Sequence, residues 1–430
     1  MATASRRDER KNDSLKDWLT WQESLHVVDI ELGLERCNEI AQTLQLTRPA
    51  KTVVTVAGTN GKGSSVAMLE SIWRAAGYTV GTYTSPHLIA YNERIRLNGE
   101  PASDADICAA FERVEHARDG RPLTYFEFGT LAALTIFSEA MPDVAILEVG
   151  LGGRLDAVNI IDADVSLIAT IGIDHVEFLG TTRDAISLEK AGIMRPGKPA
   201  VCSDIDVPQT LKEYSQKLPT ELEILGDTYR FSDEGETWSW WSGDAQIVNL
   251  PKPSLLGEHQ LANAAGVLKV VDILQPRLPT GESDIAHGLQ KTKLQGRFHV
   301  IPGDIEVVLD VAHNAQAVEI FVRTLQLLEP ANKTHVILGM MRVKDREGAM
   351  RLLAPIADSW HLASINAPRG ASSEELQESL NRAIGKRGKA CLHESATDAY
   401  MQAKSSAQAG DRIIAIGSFL VVSEILNFVQ

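Results

Sequence analysis

The segment Gly58-Thr59-Asn60-Gly61-Lys62-Gly63-Ser64 sets three glycines around one lysine, and a second serine follows at 65. Glycines let backbone N–H groups close on an anion, and a helix opening at the serines adds positive partial charge. Lys62 would reach the outer phosphates of a nucleoside triphosphate, while Ser64 or Ser65 would hydrogen-bond phosphate or help hold magnesium. The spacing departs from GxxxxGK[ST], because Gly63 is inserted between Lys62 and Ser64. A dinucleotide loop fits less well: the GxGxxG spacing is absent, and a lysine inside the turn favours a triphosphate.

Glu148 closes the apolar run DVAILEV. An acid at the carboxyl end of a strand points into the crevice where open α/β sheets bind ligands, and magnesium takes a few carboxylate oxygens plus water and phosphate. A second glycine-dense turn, GLGGRLD at 150–156, suggests backbone lying close to a ligand. Asp174-His175 follows VSLIATI in the same way, which makes His175 a candidate metal ligand. The bland alternatives are a solvated acid and a structural histidine. Lys190 stands near a helix end in Glu189-Lys190-Ala191-Gly192, where a surface ion pair is the ordinary fate of a lysine.

Parallel strands and helices must carry these groups. The β-branched run at 52–57 predicts a strand running into the lysine loop, and the pattern at 64–76, closed by Gly77, predicts a helix. Further strands are expected at 79–83, 143–149 and 165–171, and helices at 128–140 and 183–194. Short β-like pieces over 223–250, including Trp238-Ser239-Trp240-Trp241, read as an antiparallel edge of the first domain. A helix at about 259–274 precedes a boundary between 278 and 296. Beyond it, strands at 305–311, 334–340, 359–364, 389–393 and 412–416 alternate with helices. The expected class is α/β: a P-loop-containing domain with a mostly parallel sheet over 1–296, and a smaller Rossmann-like α/β domain over 297–430.

With a formal net charge of −15, the 430-residue chain would repel phosphate backbones, so nucleic acid is not an expected partner. No apolar run is long enough to cross a bilayer, and the polar start, 1–13, reads as a frayed tail without the apolar stretch of a signal peptide. Cys37, Cys108, Cys202 and Cys391 show no CxxC spacing; this is neither a zinc pattern nor a disulfide framework, fits a reducing cytosol, and reads most plainly as four buried small apolar residues.

The motifs also occur in a telling order. GTNGKGS (58–64), TSPHL (84–88), EVGLGGRLDA (148–157), Asp174-His175, EKAGI (189–193), Gly296-Arg297-Phe298 and DVAHN (310–314) resemble the set found in bifunctional dihydrofolate synthase/folylpolyglutamate synthases, a family of the Mur-ligase superfamily. The resemblance runs from about residue 15 to 428. It implies a Mur-ligase-like central domain and an ATP-dependent amide ligase. Such an enzyme joins L-glutamate to 7,8-dihydropteroate and to tetrahydrofolates through an acyl phosphate, with Lys62, His175 and Lys190 catalytic.

By the same resemblance, ATP would meet Thr59, Asn60, Gly61, Lys62, Gly63, Ser64, Asn263, Arg297 and Asp310, and would lie between the domains. One magnesium ion would sit on Ser85 and Glu148 and a second on Glu148 and His175. Lys190 would carry a CO2-derived carbamate, an oxygen ligand suited to Mg2+. The pterin would lie on Glu31, Leu32, Gly33, Thr124, Tyr125, Phe126, Glu127, Leu155, Asp156 and Ala157. His313 and Ser418 would stand near the incoming glutamate. Tyr125 and Phe126 would flank the flat ring, the alternative being core aromatics at a helix start. One departure is Glu31, where the family pattern has aspartate.

The implied enzyme is a cytoplasmic monomer acting on small molecules, with no membrane partner. A folylpolyglutamate synthase lacking the first activity would ignore dihydropteroate. A cell-wall Mur ligase would carry a UDP-binding domain ahead of the loop, where about 50 residues stand. A non-enzymatic switch would bind ATP without forming product.

Overall fold

The structure is a computed structural model describing residues 13–25, 31–385 and 390–429. Apart from Asp13, the tail expected at 1–13 lies outside the described residues, as does Lys389 of the strand expected at 389–393. The chain divides into two compact units. The first comprises Met1–His87, Tyr91–Ser254 and Leu261–Thr292, and the second Leu88–Ala90, Leu255–Gln260 and Lys293–Gln430.

Unit 1 is built on eight strands: β1 (Thr52–Ala57), β2 (Val80–Tyr83), β3 (Ile95–Leu97), β4 (Glu100–Pro101), β5 (Val144–Glu148), β6 (Val165–Ile168), β7 (Ala200–Cys202) and β8 (Leu222–Ile224). Their order is β4-β3-β2-β5-β1-β6-β7-β8. From β2 to β8 every neighbouring pair is parallel, while β3 and β4 add an antiparallel edge. A strand flanked on both sides in a parallel sheet and covered on both faces must be apolar throughout, and every residue of β1 is buried. The connection from β5 to β6 jumps over β1. The turns after β1, β5 and β6 therefore open side by side at the carboxyl edge, where an open α/β sheet places its ligands.

Two expected elements change at their ends for visible reasons. The strand expected at 165–171 stops at Ile168, because the next residues bond to the lysine loop: Thr59 N–H donates to Thr170 O at 2.6 Å, and Thr170 N–H to Asn60 O at 3.3 Å. The helix expected at 128–140 starts earlier, at Tyr125. Thr124 Oγ1 accepts from Glu127 N–H (3.3 Å), and Glu127 Oε2 accepts from Thr124 N–H (2.7 Å), a reciprocal capping box.

The antiparallel edge of the first domain expected over 223–250 lies in unit 1, as a separate sheet beyond β8. After β8, β9 (Tyr229–Asp233), β10 (Thr237–Ser242) and β11 (Ala245–Pro251) form their own antiparallel sheet in the order β11-β10-β9. Trp238 and Trp240 bury one face of it, and their indole N–H groups donate to Pro251 O (3.0 Å) and Ala265 O (3.1 Å). The stretch 278–296 is not merely a boundary either. It contains the helix Glu282–Lys291, which packs in unit 1 against the helix Lys62–Ala75. Gly288 makes that approach feasible: a Cβ there would lie 2.5 Å from Ile72 Cα.

Unit 2 has strands β12 (His299–Ile301), β13 (Glu306–Asp310), β14 (Thr334–Leu338), β15 (Ser359–Ala363), β16 (Ala390–His393) and β17 (Arg412–Ile416), in the order β12-β13-β17-β14-β15-β16. All pairs are parallel except β12 with β13. Alternate residues feed two cores, with Val308, Val336 and Ile414 on one face and Leu309, Ile337 and Ile413 on the other. Among the described residues no helix is long and apolar enough to cross a membrane.

Filling the contact at Gly288 tests this packing. Gly288→Val should destabilise unit 1 by about 1–3 kcal/mol through overpacking. Urea denaturation would measure it, and an unchanged midpoint would show that the two helices have room to spare.

Candidate functional site

In unit 1 the lysine loop joins β1 to the helix Lys62–Ala75 through Gly61, whose φ of 85° belongs to the left-handed region. Asn263, on the helix His259–Leu274, lies against this turn: a Cβ on Gly61 would fall 2.5 Å from Asn263 Oδ1. The first intrahelical bond runs from Ser65 N–H to Gly61 O (2.9 Å), so the N–H groups before it point towards the N-terminal end of the helix, the end that carries positive partial charge. Thr59 does a different job. Its N–H is engaged by Thr170 O, and its hydroxyl bridges the backbone of Gly172, donating to the carbonyl (2.9 Å) and accepting from N–H (3.0 Å). Thr59 thus ties the loop to the segment that leads from β6 to His175. Lys62 Nζ folds back over the turn and donates to Gly58 O at 2.9 Å.

Glu148, 4 % exposed, ends β5 and accepts the Ser85 N–H on Oε2 at 3.1 Å. The structure therefore brings together the two residues expected to share a metal. Asp174 Oδ1 accepts the His175 N–H at 2.8 Å, and His175 adopts a left-handed φ of 51° ahead of the short helix Val176–Leu179. A non-glycine residue held there costs of order 1 kcal/mol, an expense seen where a side chain must be aimed. The donors fit a hard divalent cation: a buried carboxylate, a neighbouring hydroxyl residue, an imidazole and an aspartate. Among the described residues, the one group of three or more His, Cys, Asp or Glu donors mutually within 4.8 Å lies elsewhere. Magnesium needs no such cage, since it keeps water and substrate phosphate as ligands.

Lys190 is not a surface ion pair. It is 2 % exposed, and Glu189 instead pairs with Arg154 at 2.8 Å. Desolvation first, then the charge of Lys62, bring the Lys190 ammonium down to about 7, against the pull of Asp174, Asp156 and Glu189. Asp156 is buried below the same region. Its oxygens accept from Leu151 N–H (2.8 Å) and Val158 N–H (3.0 Å), which shapes the glycine-dense turn. Burial pushes its pKa up to about 6 despite those bonds and despite Lys62.

A ring-lined wall adjoins this turn. Phe126 presses on it so closely that a Cβ on Gly150 would lie 2.6 Å from the ring. Phe126 also faces Tyr83 at 5.9 Å between centroids, and Tyr125 meets Tyr91 edge-on at 5.9 Å. Arg94 stands over Tyr91 and Tyr125 and donates Nε–H to His87 Nδ1 at 2.8 Å. Burial, then the Arg94 charge, hold His87 at about 4. Glu31 and Glu127 are joined through Arg36, whose bond to Glu127 is 2.9 Å. Leu32 and Gly33 are half-buried beside this pair, and Ala157 is buried in the turn that Asp156 shapes, with Leu155 half-buried before it. Arg36, Arg94 and His87 were missed as site residues. His87 lay inside the motif TSPHL, but nothing in its spacing, or in that of Arg36 and Arg94, showed that they face other elements.

In unit 2, Asp310 ends β13 and pairs in register with Ile416 of β17, so Asp310 and the Gly417-Ser418-Phe419 turn leave the sheet together. Asp310 accepts from Phe298 N–H and Ala312 N–H, each at 2.7 Å, and burial raises its pKa although Arg297 opposes the shift. The Arg297 guanidinium stacks over Phe419 at 5.4 Å, and His313 faces the same ring at 6.1 Å. Ser418 is 6 % exposed and its hydroxyl accepts from Leu420 N–H at 3.2 Å. Arg297, Asp310, His313 and Ser418, drawn from three separate stretches of sequence, thus gather at one sheet edge of this unit. His259 joins them: burial and the Arg297 charge lower it to about 4.

Comparison with known proteins follows from this geometry. The model of the Mur ligase middle domain matches residues 56–271, and that of the Mur ligase, glutamate ligase domain, residues 296–419. The dihydrofolate synthase/folylpolyglutamate synthase of Escherichia coli (strain K12) is 38% identical over 416 residues, covering 97% of this chain and 96% of its own length. The protein of the same name from Haemophilus influenzae is 37% identical over 434 residues, covering 97% and 98%. E. coli FolC in complex with DHPP and ADP superposes with a TM-score of 0.92 at 38% identity, over 97% of this chain and 98% of that one. The bifunctional folylpolyglutamate synthase/dihydrofolate synthase from Yersinia pestis, complexed with AMPPNP and Mn ion, gives 0.90 at 40% identity over the same shares.

The burial of Lys190 has a measurable consequence. Its folded pKa lies near 7, below the ordinary 10.5, so the burden of burying its charge is full below pH 7 and fades as pH rises towards 10.5. Lys190→Met should therefore stabilise the protein by about 1–3 kcal/mol at pH 7 in bicarbonate-free buffer, with a smaller gain at pH 10. Paired urea melts at the two pH values check this; a gain independent of pH would mean that the ammonium is not the strained group.

Proposed function

From its membership of the Mur ligase family, to which the chain belongs together with the dihydrofolate synthase/folylpolyglutamate synthases it matches along nearly its whole length, we propose that it uses ATP to add L-glutamate to 7,8-dihydropteroate and to tetrahydrofolates. One observation carries the reading. The lysine loop after β1 is tied to the segment leading to His175, and a buried Lys190 shares the electrostatic field of Lys62. A glycine-rich turn that holds an ammonium at a helix N-terminus suits phosphate, and a lysine lowered towards neutrality beside it suits carbamate formation.

Joining a free carboxylate to an amine needs an activated acyl group. A carboxylate oxygen of the pterin or folate substrate attacks the γ-phosphorus, and the bond to the β-bridging oxygen breaks to release ADP. The glutamate nitrogen then attacks the acyl carbon. The tetrahedral adduct collapses, expels phosphate with the oxygen it received, and loses a proton from nitrogen.

Lys62 exchanges its hold on Gly58 O for phosphate oxygens, and the outward N–H groups of Gly61, Lys62, Gly63 and Ser64 line the phosphate chain. Asn60 and Asn263 sit at the edge of that turn, and Thr59 keeps it in register. Ser85, Glu148 and His175 would hold magnesium at two positions, supplying charge neutralisation at the phosphate oxygens. Lys190 is partly neutral near pH 7, the form that takes up CO2 and becomes a carbamate. Phe126, Tyr125 and the Glu31–Arg36–Glu127 chain suit a flat, hydrogen-bonding pterin ring, with Leu32, Gly33, Thr124, Leu155, Asp156 and Ala157 shaping the wall. In unit 2, Arg297 and Asp310 are assigned to the nucleotide and His313 and Ser418 to glutamate.

ADP release with ATP and glutamate, measured separately with dihydropteroate and with tetrahydrofolate, tests the proposal. Both acceptors should support turnover; silence with dihydropteroate alone would leave a folylpolyglutamate synthase. Heavy oxygen placed in the acceptor carboxylate should appear in the released phosphate, and its absence would overturn the acyl-phosphate route. Lys62→Ala should lower kcat by about 100-fold or more with an unchanged fold.

A further inference from the structure

The open edge of the unit 2 sheet carries a group that the ligase chemistry does not use. His361 on β15 lies in register with Cys391 on β16, and His393 follows two residues later on the same face of that strand. On the same face Ile337, Ala363, Ile413 and Ala415 pack in one apolar core. His361 is nevertheless buried there at 3 % exposure. Its Nδ1 lies 3.2 Å from His393 Nε2, and the two rings stack with 21° between planes. One ligand atom from each of His361, Cys391 and His393 lies within 4.8 Å of the other two.

The geometry points to a binding site for a borderline-soft divalent cation, Zn2+ first, held by His361, Cys391 and His393 with a fourth position open to solvent. Zinc takes imidazole nitrogens at about 2.0–2.1 Å and thiolate sulfur at about 2.3 Å in a tetrahedron, which places two nitrogens about 3.3 Å apart. The observed 3.2 Å separation matches that spacing. Without an ion, one imidazole N–H is directed at the other nitrogen. Binding moves that proton to the second nitrogen of the same ring, and the Cys391 thiol releases its proton to solvent as the Zn–S bond forms.

His335 is adjacent, at 6.2 Å between rings, but Ser359 Oγ and Asp411 Oδ2 occupy its nitrogens, so it supports rather than ligates. Cys391 is exposed and gives the ion an entry path. A bound ion would cross-link β15 to the edge strand β16.

Titration of the full-length protein with Co2+ in excess Mg2+ tests this directly, because a thiolate on cobalt gives a charge-transfer band that oxygen and imidazole ligands do not. One equivalent should develop the band, and Zn2+ should abolish it. Cys391→Ser should remove the band, and His393→Gln should weaken Zn2+ binding by at least about tenfold. Both positions are at least partly solvent-exposed, so folding should survive, and far-ultraviolet circular dichroism checks that. Cys108→Ser, in unit 1, should leave the band intact. Zn2+ should also raise the Tm of the wild type but not of Cys391→Ser. No band in the wild type, or a band that persists in Cys391→Ser, overturns the site.

Discussion

Two lysines in one poorly solvated site dominate the electrostatics of unit 1. Lys62 and Lys190 repel each other, and Lys190 is almost without water. Each opposite charge that the fold provides nearby is itself constrained. Asp156 has both oxygens on backbone N–H groups, Glu189 is turned to Arg154, and Asp174 caps the N–H of His175. Phosphate oxygens brought to Lys62, or a carbamate formed on Lys190, would relieve the repulsion between the two lysines. Function and instability share one origin here.

The sheet order makes this convergence possible. With β1 between β5 and β6, three turns distant in sequence emerge as neighbours. The bond network from Thr59 to Thr170 and Gly172 then fixes the first turn to the third, and the Ser85–Glu148 bond joins the turn after β2 to the end of β5. The extra Gly63 fits this picture. With the metal proposed at Ser85 and Glu148, which the Ser85 N–H to Glu148 bond brings together, the loop would not need a serine immediately after the lysine.

Much of this was legible in the sequence, and the parts that were not share a cause. The apolar runs that became β1 and β17 were placed residue for residue, because buried parallel strands read as continuous β-branched runs. The lysine loop followed from its own spacing. The helix Glu282–Lys291 was missed because a proline and a glycine just ahead of it looked like a linker; its purpose, contact through Gly288, lies in its partner helix. The tryptophan-rich strands were legible as an antiparallel part of the first domain, but not as a sheet of their own, because periodicity gives strand character and not strand partners. Arg36, Arg94 and His87 escaped for the same reason: each acts across elements. The His361, Cys391 and His393 cluster is the clearest case, since its donors are brought together by strand register across about 30 residues rather than by a CxxC-like spacing.

Asp156 and Asp310 show how a ligand assignment and a structural duty coincide. Each follows or ends a strand, and each carboxylate clasps two backbone N–H groups: Leu151 and Val158 in unit 1, Phe298 and Ala312 in unit 2. Two such bonds ordinarily hold a carboxylate low, yet in both residues desolvation wins and the pKa rises. The arrangement persists because these carboxylates shape turns. In unit 1 the turn is the one against which Phe126 rests; in unit 2 it is the one that presents Arg297 to Phe419. A residue whose acceptors are already engaged acts on substrate mainly through the backbone it positions. An aspartate-to-asparagine change at either place would therefore disturb geometry before it disturbed charge, since the amide nitrogen would face a backbone N–H that requires an acceptor.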